Sequence, residues 1–131
     1  MRALGMRLFL VEDSPAVRER LLEMIGDIND VTVVGQADNY QDAVDGIMRN
    51  RPDVAIFDIR LAEGSGIDAM VEVKRHLPGL RGIVLTNYAT PQHEKASADA
   101  GAEYFLDKSA DFERIAEILE IMKSGSDGGP H

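Results

Sequence analysis

Cysteine is absent from this 131-residue chain, which excludes a disulfide framework and a thiolate metal site. Long apolar runs are absent too, and none approaches the roughly 20 residues that cross a bilayer. The N-terminal segment MRALGMRLFLVED reaches acidic residues too early for a secretory signal. These absences are compatible with a reducing cytoplasm, so we expect a cytoplasmic protein with no membrane partner.

Basic residues are scarce. The chain has 14 Lys and Arg against 23 Asp and Glu, which gives a formal net charge of −9. Affinity for nucleic acid depends largely on Lys and Arg that neutralise phosphates, so we expect no direct nucleic-acid binding by this chain. An apolar fraction of 44% and a charged fraction of 28% are typical of a globular protein, and the length suits one domain.

Five apolar or β-rich segments alternate with five segments of helical periodicity. The predicted strands are 7–11, 31–37, 54–58, 82–86 and 104–106. The predicted helices are 15–26, 40–50, 67–77, 91–100 and 112–122. Short connections between alternating strands and helices indicate an α/β fold, with a parallel sheet covered on both faces.

Chemically active side chains follow four of these strands. Glu12 and Asp13 follow the first strand, Asp58 ends the third, Thr86 ends the fourth, and Lys108 follows the fifth. Ligands bind beyond the carboxyl ends of strands in open α/β sheets, so we expect these side chains to share one edge.

Three carboxylates in one pocket raise each other's pKa values unless a cation is present. Mg²⁺ is suited to such a site, because it binds through carboxylates and retains several waters. Together with the hydroxyl of Thr86 and the ammonium of Lys108, such a site can hold a phosphoryl group. A carboxylate such as Asp58 can itself become phosphorylated, as an acyl phosphate.

These motifs, in this order and spacing, resemble the receiver (CheY-like) domains of bacterial two-component response regulators. The motifs are Glu12-Asp13, DIRLAEGSGID around Asp58, Leu85-Thr86, and Ala100-Gly101-Ala102 leading to Phe105-Leu106-Asp107-Lys108. The resemblance covers residues 6–123 and implies a flavodoxin-like, doubly wound (βα)5 sandwich with strand order 2-1-3-4-5. Residues 124–131 (SGSDGGPH) are expected to form a flexible tail because of their composition.

The resemblance also implies roles for individual residues. Asp58 would accept a phosphoryl group from a histidine kinase or phosphotransfer protein. Glu12, Asp13, Asp58 and the backbone carbonyl of Arg60 would ligate Mg²⁺ (or Mn²⁺). Thr86 would bond the phosphoryl oxygens, and Lys108 would pair with the phosphate.

A conformational switch is implied as well. Phe105 would turn inward as Thr86 moves toward the phosphoryl group. The face made by the fourth helix, fifth strand and fifth helix would then change shape and bind a partner, with a homodimer as one form of that contact. The predicted helix 91–100 contains mainly small and polar residues, so we expect weak packing that suits an element able to shift.

Three positions depart from the commonest pattern of the family. Ala62 and Ser109 stand where proline is frequent, and Asn87 stands where a small residue is usual. Without proline we expect a less constrained loop around Lys108, and Asn87 is expected to narrow access to Asp58. Lys108-Ser109 also resembles receivers that precede helix-turn-helix DNA-binding domains, which suggests a transcriptional output.

Two other functions compete with the receiver interpretation. A metal-dependent phosphatase with an aspartyl nucleophile commonly needs a second carboxylate two residues later, where this chain has Arg60. An interaction module that works without phosphate would not need Asp58, Thr86 and Lys108. The receiver is not expected to be a stand-alone enzyme, although it assists its own phosphotransfer and dephosphorylation.

The last predicted helix suggests a contact surface. Ile118 lies at the edge of its apolar face and Ile121 lies outside that face on a helical wheel. Exposed branched apolar residues favour an interface, so we expect both isoleucines to contact a second copy or another partner.

Overall fold

Five strands and five helices alternate within residues 5–128, as the hydrophobic pattern predicts. The computed structural model describes residues 5–128, and the side chains of residues 5–124. The strands are β1 (Met6–Val11), β2 (Val31–Ala37), β3 (Val54–Phe57), β4 (Arg81–Thr86) and β5 (Tyr104–Asp107). The helices are α1 (Pro15–Gly26), α2 (Tyr40–Asn50), α3 (Gly66–His76), α4 (Pro91–Asp99) and α5 (Arg114–Gly128).

All five strands are parallel and lie in the order β2-β1-β3-β4-β5, which confirms the predicted flavodoxin-like topology. The register aligns the carboxyl ends of the strands: Val11 pairs with Phe57, and Thr86 pairs with Asp107. The residues that follow β1, β3 and β5 therefore meet Thr86 at one edge of the sheet.

Four of the helices start at side-chain caps that the sequence supplies, with Asn39 as the cap of α2. The side chains of Ser14, Ser65 and Thr90 each accept a hydrogen bond from a backbone N–H in the first turn of α1, α3 and α4. Pro15 and Pro91 then occupy the start of α1 and α4, where the missing N–H has no cost. These caps fix where each helix leaves the site edge.

Alternate residues of the central strands bury opposite faces of the sheet. One cluster packs Leu8, Leu10, Ile56 and Leu85 against α1 and α5, as shown by its members Leu21, Ile25, Ile115, Ile118, Leu119 and Met122. The other packs Phe9, Val11, Phe57 and Val84 against α2 and α3, with members Ala43, Ile47, Ala69, Met70 and Val73. Burial on both faces explains why the strands have continuous apolar sequences.

Helix α5 differs from its sequence prediction at both ends and along its buried face. It begins at Arg114 and its backbone is helical to Gly128, within the segment expected to be a tail; residues 129–131 lie outside the described residues. The prediction that Ile118 is exposed is wrong: it is 2% exposed, whereas Ile121 is 55% exposed. Ile118 is buried because the cluster around α5 also includes side chains of α1, which widens the buried stripe.

No helix within residues 5–128 combines the length and apolar character that a bilayer span requires.

Candidate functional site

Three carboxylates meet beyond the ends of β1 and β3. Glu12 and Asp13 follow β1, and Asp58 follows β3. Each contributes an oxygen that lies within 4.8 Å of the others. Glu12 is 1% exposed and Asp58 is 4% exposed, while Asp13 is partly exposed. The structure therefore brings together the acids that the sequence analysis placed at this edge.

Lys108 connects the two buried acids. Its Nζ donates to Glu12 Oε2 at 2.9 Å and to Asp58 Oδ2 at 3.0 Å. Its backbone N–H donates to the carbonyl of Thr86 at 2.9 Å, which fixes the chain after β5 against the end of β4. Among the described residues these contacts join Glu12, Asp58, Thr86 and Lys108 into one site.

The site perturbs the protonation of its own groups. Burial, helped by the charges of Glu12 and Asp13, raises the pKa of the Asp58 carboxyl to about 7, and contact with Lys108 opposes that rise. Burial lowers the pKa of Lys108, but hydrogen bonds and charge from Glu12 and Asp58 outweigh it, so this pKa is raised. Lys108 is thus held in its charged form, and Asp58 is poised between its two forms near neutral pH.

Thr86 is fully buried at the end of β4, and its hydroxyl is anchored locally. Thr86 Oγ1 accepts a hydrogen bond from the backbone N–H of Tyr88 at 2.9 Å. A hydroxyl that accepts in this way still has its proton to donate. The hydroxyl is therefore suited to donate to a group bound at Asp58.

The loop after Asp58 is tightly closed. Asp58 N–H donates to Val11 O at 2.9 Å, and Gly66 N–H donates to Ile59 O at 2.8 Å. Leu61 N–H donates to Gly64 O at 3.3 Å, so the bonds across the loop are made by the residues on either side of Arg60. A Cβ on Gly66 would lie 1.7 Å from the carbonyl oxygen of Asp58, so only glycine permits this approach.

The donor set fits a hard divalent cation. Three carboxylates with oxygens this close repel one another, and oxygen ligands of this kind are the ones that Mg²⁺ and Mn²⁺ accept. The Arg60 carbonyl, which lies outside the loop's own bonds, is a further oxygen in the same segment. Lys108 supplies the positive charge that balances Glu12 and Asp58 in this structure.

Two features near the site were missed by sequence reasoning. The guanidinium of Arg60 stacks on the ring of Tyr88, 3.9 Å from its centroid, and so joins the loops after β3 and β4. Asp107 and Asp111 exchange hydrogen bonds around Lys108. The first had no signal in the sequence, and the second had only a weak one, because Asp107 and Asp111 are four residues apart whereas the partners of a capping box are three residues apart.

The remaining predicted residues lie around the site. Phe105, on β5, is half-buried and packs against the cluster that includes α2 and α3. Asn87 is exposed and lines a cleft of about 400 Å³ beside Lys108. The loop around Lys108 is closed by hydrogen bonds to the two aspartates. The expectation of a less constrained loop without proline stays a prediction.

Comparison with known proteins gives consistent matches. The family described as "Response regulator receiver domain" matches residues 8–120. The DNA-binding transcriptional activator DevR/DosR of Mycobacterium tuberculosis is 30% identical over 119 residues, which are 91% of this chain and 55% of that protein. The transcriptional regulatory protein DesR of Bacillus subtilis is 30% identical over 90% of this chain and 58% of that protein. The chain thus spans little more than half the length of these curated relatives.

Solved structures agree in fold. The response regulator domain of Thermotoga maritima CheB is 27% identical with a TM-score of 0.81, and the match covers 96% of this chain and 99% of that one. A LuxR-family two-component response regulator from Aurantimonas sp. SI85-9A1 is 25% identical with a TM-score of 0.85, over 92% of this chain and 86% of that one.

Proposed function

This chain belongs to the family of response regulator receiver domains, and we propose that residues 6–123 form a receiver that is phosphorylated on Asp58 by a histidine kinase or phosphotransfer protein. The observation that carries this proposal is the contact of Lys108 with both buried acids, Glu12 and Asp58, beside Asp13. This contact supports the proposal because a carboxylate beside a fixed positive charge is the combination that phosphoryl transfer to a side chain needs.

The proposed chemistry is a direct transfer between two side chains. An Asp58 oxygen attacks the phosphorus of a phosphohistidine, the P–N bond breaks, and its electron pair leaves on the imidazole nitrogen. Lys108 neutralises charge on the phosphoryl oxygens, and the Thr86 hydroxyl donates to one of them. The carboxylates of Glu12, Asp13 and Asp58 and the Arg60 carbonyl would hold Mg²⁺ or Mn²⁺, which supplies charge stabilisation when bound.

We propose that the chain is a phosphoacceptor that assists its own phosphotransfer and dephosphorylation, and not a stand-alone enzyme. A phosphatase with an aspartyl nucleophile would need a second acid two residues after Asp58. That position is Arg60, whose guanidinium is engaged with the ring of Tyr88. Turnover of a simple phosphate ester would contradict this assignment.

The proposed output is control of a further domain or of a separate partner. The relatives named above are transcriptional regulators about twice as long as the matched region, so a transcriptional output is the form we favour. The switching face would consist of α4, β5 and α5, through movement of Thr86 and Phe105. The packing of α4 supports this assignment, because Ser97 is its one fully buried residue.

A homodimer through this face remains part of the proposal, now resting on Ile121 alone. Ile121 is 55% exposed on α5, whereas Ile118 is in the core. If Ile121 lies in an interface, the phosphorylated Ile121→Glu protein should have a lower mass in solution than phosphorylated wild type, measured by light scattering. An unchanged mass and unchanged partner binding would remove Ile121 from the proposal.

Intact-mass spectrometry tests phosphorylation directly. The protein is incubated with Mg²⁺ and phosphoramidate, whose P–N bond imitates that of phosphohistidine. Wild type should gain one phosphoryl group, and Asp58→Asn should gain none. The matched control is Asp45→Asn, which alters an exposed aspartate on α2 and should react like wild type. Removal of Mg²⁺ with a chelator should abolish the gain.

Two results would overturn the proposal. One is the absence of any phosphoryl gain in folded wild type; the other is an undiminished gain in Asp58→Asn, which would place the acceptor elsewhere.

A further inference from the structure

The turn that carries Lys108 is closed by two aspartates. Asp107 Oδ1 accepts hydrogen bonds from the N–H groups of Ser109 at 2.7 Å and Ala110 at 3.2 Å. Asp111 N–H donates to the backbone carbonyl of Asp107 at 2.8 Å. These bonds follow the pattern of an N-cap, and here they close a turn that precedes α5.

The side chain of Asp111 also bonds to the backbone of Asp107. Its Oδ2 accepts a hydrogen bond from the backbone N–H of Asp107 at 2.9 Å. Asp107 and Asp111 therefore hold each other's backbone, in the manner of a capping box. The backbone N–H of Lys108, which lies between them, donates to the carbonyl of Thr86.

The position of the Lys108 backbone decides where its ammonium group can reach. A lysine side chain is long and flexible, so holding its ammonium group on one target costs conformational entropy. Here its Nζ contacts two carboxylates at 2.9 and 3.0 Å, and its side chain is only 8% exposed. The acceptor Glu12 is fixed in turn, because the N–H of Ser14 donates to the same oxygen at 3.0 Å. A displaced turn would carry the ammonium away from this fixed target.

We propose that Asp107 and Asp111 are positioning residues for Lys108. Their hydrogen bonds fold residues 107–111 into a closed turn that aims the ammonium at Glu12 and Asp58. This inference rests on the proposed phosphoacceptor function, in which Lys108 neutralises charge on the phosphoryl group. Neither aspartate touches the reacting atoms.

Ser109 takes part in this turn through its backbone N–H group. The sequence resembles receivers that frequently have proline at this position, and proline has no backbone N–H. The N–H of Ser109 makes the shortest of the three bonds to the carboxylates of Asp107 and Asp111. Proline at position 109 would therefore remove a bond on which the aspartate turn depends, so the two ways of fixing Lys108 are alternatives.

The test compares alanine and asparagine at each aspartate. Asp107→Ala and Asp111→Ala remove the acceptor, whereas Asp107→Asn and Asp111→Asn keep an acceptor oxygen and lose the charge. The readout is the rate at which the protein gains a phosphoryl group from phosphoramidate at saturating Mg²⁺, measured by intact mass. Asp45→Ala is the control for removing an exposed acid.

Each alanine variant should react at least about tenfold more slowly than wild type, because small misplacements of a reacting group cost up to about 100-fold. Each asparagine variant should stay within about threefold of wild type, since neutral hydrogen bonds are weaker than charge-assisted ones but retain the geometry. Urea unfolding of each variant shows whether it is folded under the assay conditions. If Asp107→Ala does not fold, the Asp111→Ala and Asp111→Asn pair decides.

A second comparison separates positioning from general damage to the site. In a Lys108→Ala background, Asp107→Ala should cause no further loss of rate, because its effect acts through Lys108. A further tenfold loss there would overturn the inference, as would alanine variants that are folded and as fast as wild type. Failure of wild type itself to react would instead overturn the proposed function.

Discussion

Helices α3 and α4 each follow a site residue at the carboxyl end of a strand, yet they are packed very differently. Helix α3, after Asp58, buries Gly66, Ala69, Met70 and Val73. Helix α4, after Thr86, buries Ser97 alone. Asp58, the proposed nucleophile, is thus followed by a well-packed helix, and Thr86, the proposed switch residue, by a loosely packed one.

A small domain can in this way be held firmly beside its site and loosely at the face proposed for output. Local opening costs less free energy where few apolar contacts are lost, so α4 can shift while α3 stays in place. The N-terminus of α3 packs directly on the backbone of Asp58, which leaves that backbone little freedom.

The tightest contact of α3 should be broken by Gly66→Ala. The added Cβ would lie 1.7 Å from the Asp58 carbonyl oxygen, and a backbone atom cannot rotate away from it. We expect a loss of about 3 kcal/mol or more in the free energy of unfolding, measured with urea. The control is Gly79→Ala, because a Cβ on Gly79 meets nothing within 4 Å. Equal stability of the two variants would show that α3 is not fixed against the site.

The buried carboxyl of Asp58, beside α3, should also make the free energy of unfolding depend on pH. The pKa of Asp58 is raised from 3.8 to about 7, mainly by burial, so the folded protein binds a proton that the unfolded chain has released. Stability attributable to Asp58 is therefore highest below about pH 4 and falls as pH rises toward 7. In the presence of a chelator, Asp58→Asn should be more stable than wild type by about 2 kcal/mol at pH 8.

That advantage should shrink as the pH falls from 7 to 4, because wild-type Asp58 then becomes neutral in the folded state. Urea unfolding at several pH values measures it, with Asp45→Asn as the exposed control. A constant difference between Asp58→Asn and wild type at all pH values would mean that burial does not disfavour the charged carboxylate.

In α4, the one fully buried residue is a serine whose hydroxyl lacks a hydrogen-bond partner among the described residues. Ser97 Oγ is the one buried side-chain oxygen or nitrogen in the described part of the chain that has no hydrogen-bond partner there. Burying such a hydroxyl costs free energy, so Ser97→Ala should stabilise the protein by about 1 kcal/mol. Ser124→Ala, an exposed change on α5, should gain only about 0.5 kcal/mol from helix propensity. Destabilisation by Ser97→Ala would mean that the hydroxyl has a hydrogen-bond partner. Helix α4 would then be packed more firmly than its single buried residue indicates.

The contrast between these regions also marks what the sequence could predict. Glu12, Asp58, Thr86 and Lys108 were predicted together because the carboxyl ends of parallel strands must share an edge, whatever the side-chain details. The weak packing of α4 was predictable from its small and polar residues. The wrong prediction for Ile118 came from a helical wheel that assumes one buried stripe of fixed width, whereas α5 packs in a cluster that also contains α1.

Contacts between loops were beyond sequence reasoning. Arg60 and Tyr88 lie 28 residues apart in segments without periodicity, and only the fold brings their side chains together. The bonds of Asp107 and Asp111 are local, but assigning them required knowing that β5 ends where the turn begins.

The smallest expected effect lies where the two regions meet. Arg60 belongs to the loop before α3, and it stacks on Tyr88 in the loop before α4. Both side chains are exposed, so their interaction should contribute about 0.5–1 kcal/mol to stability. A double-mutant cycle with Arg60→Ala and Tyr88→Ala, measured by urea unfolding, gives this coupling energy, and Tyr88→Phe should retain most of it.

The same cycle, repeated on the phosphorylated protein, asks whether this contact belongs to the switch. The N–H of Tyr88 is bonded to Thr86 Oγ1, so movement of Thr86 toward a phosphoryl group would carry the Tyr88 backbone with it. Arg60 lies in the loop closed against Asp58 and should not follow. We therefore expect the coupling energy to fall on phosphorylation. An unchanged coupling would mean that Tyr88 stays with the rigid region, and that the boundary between the two regions lies beyond it, nearer to α4.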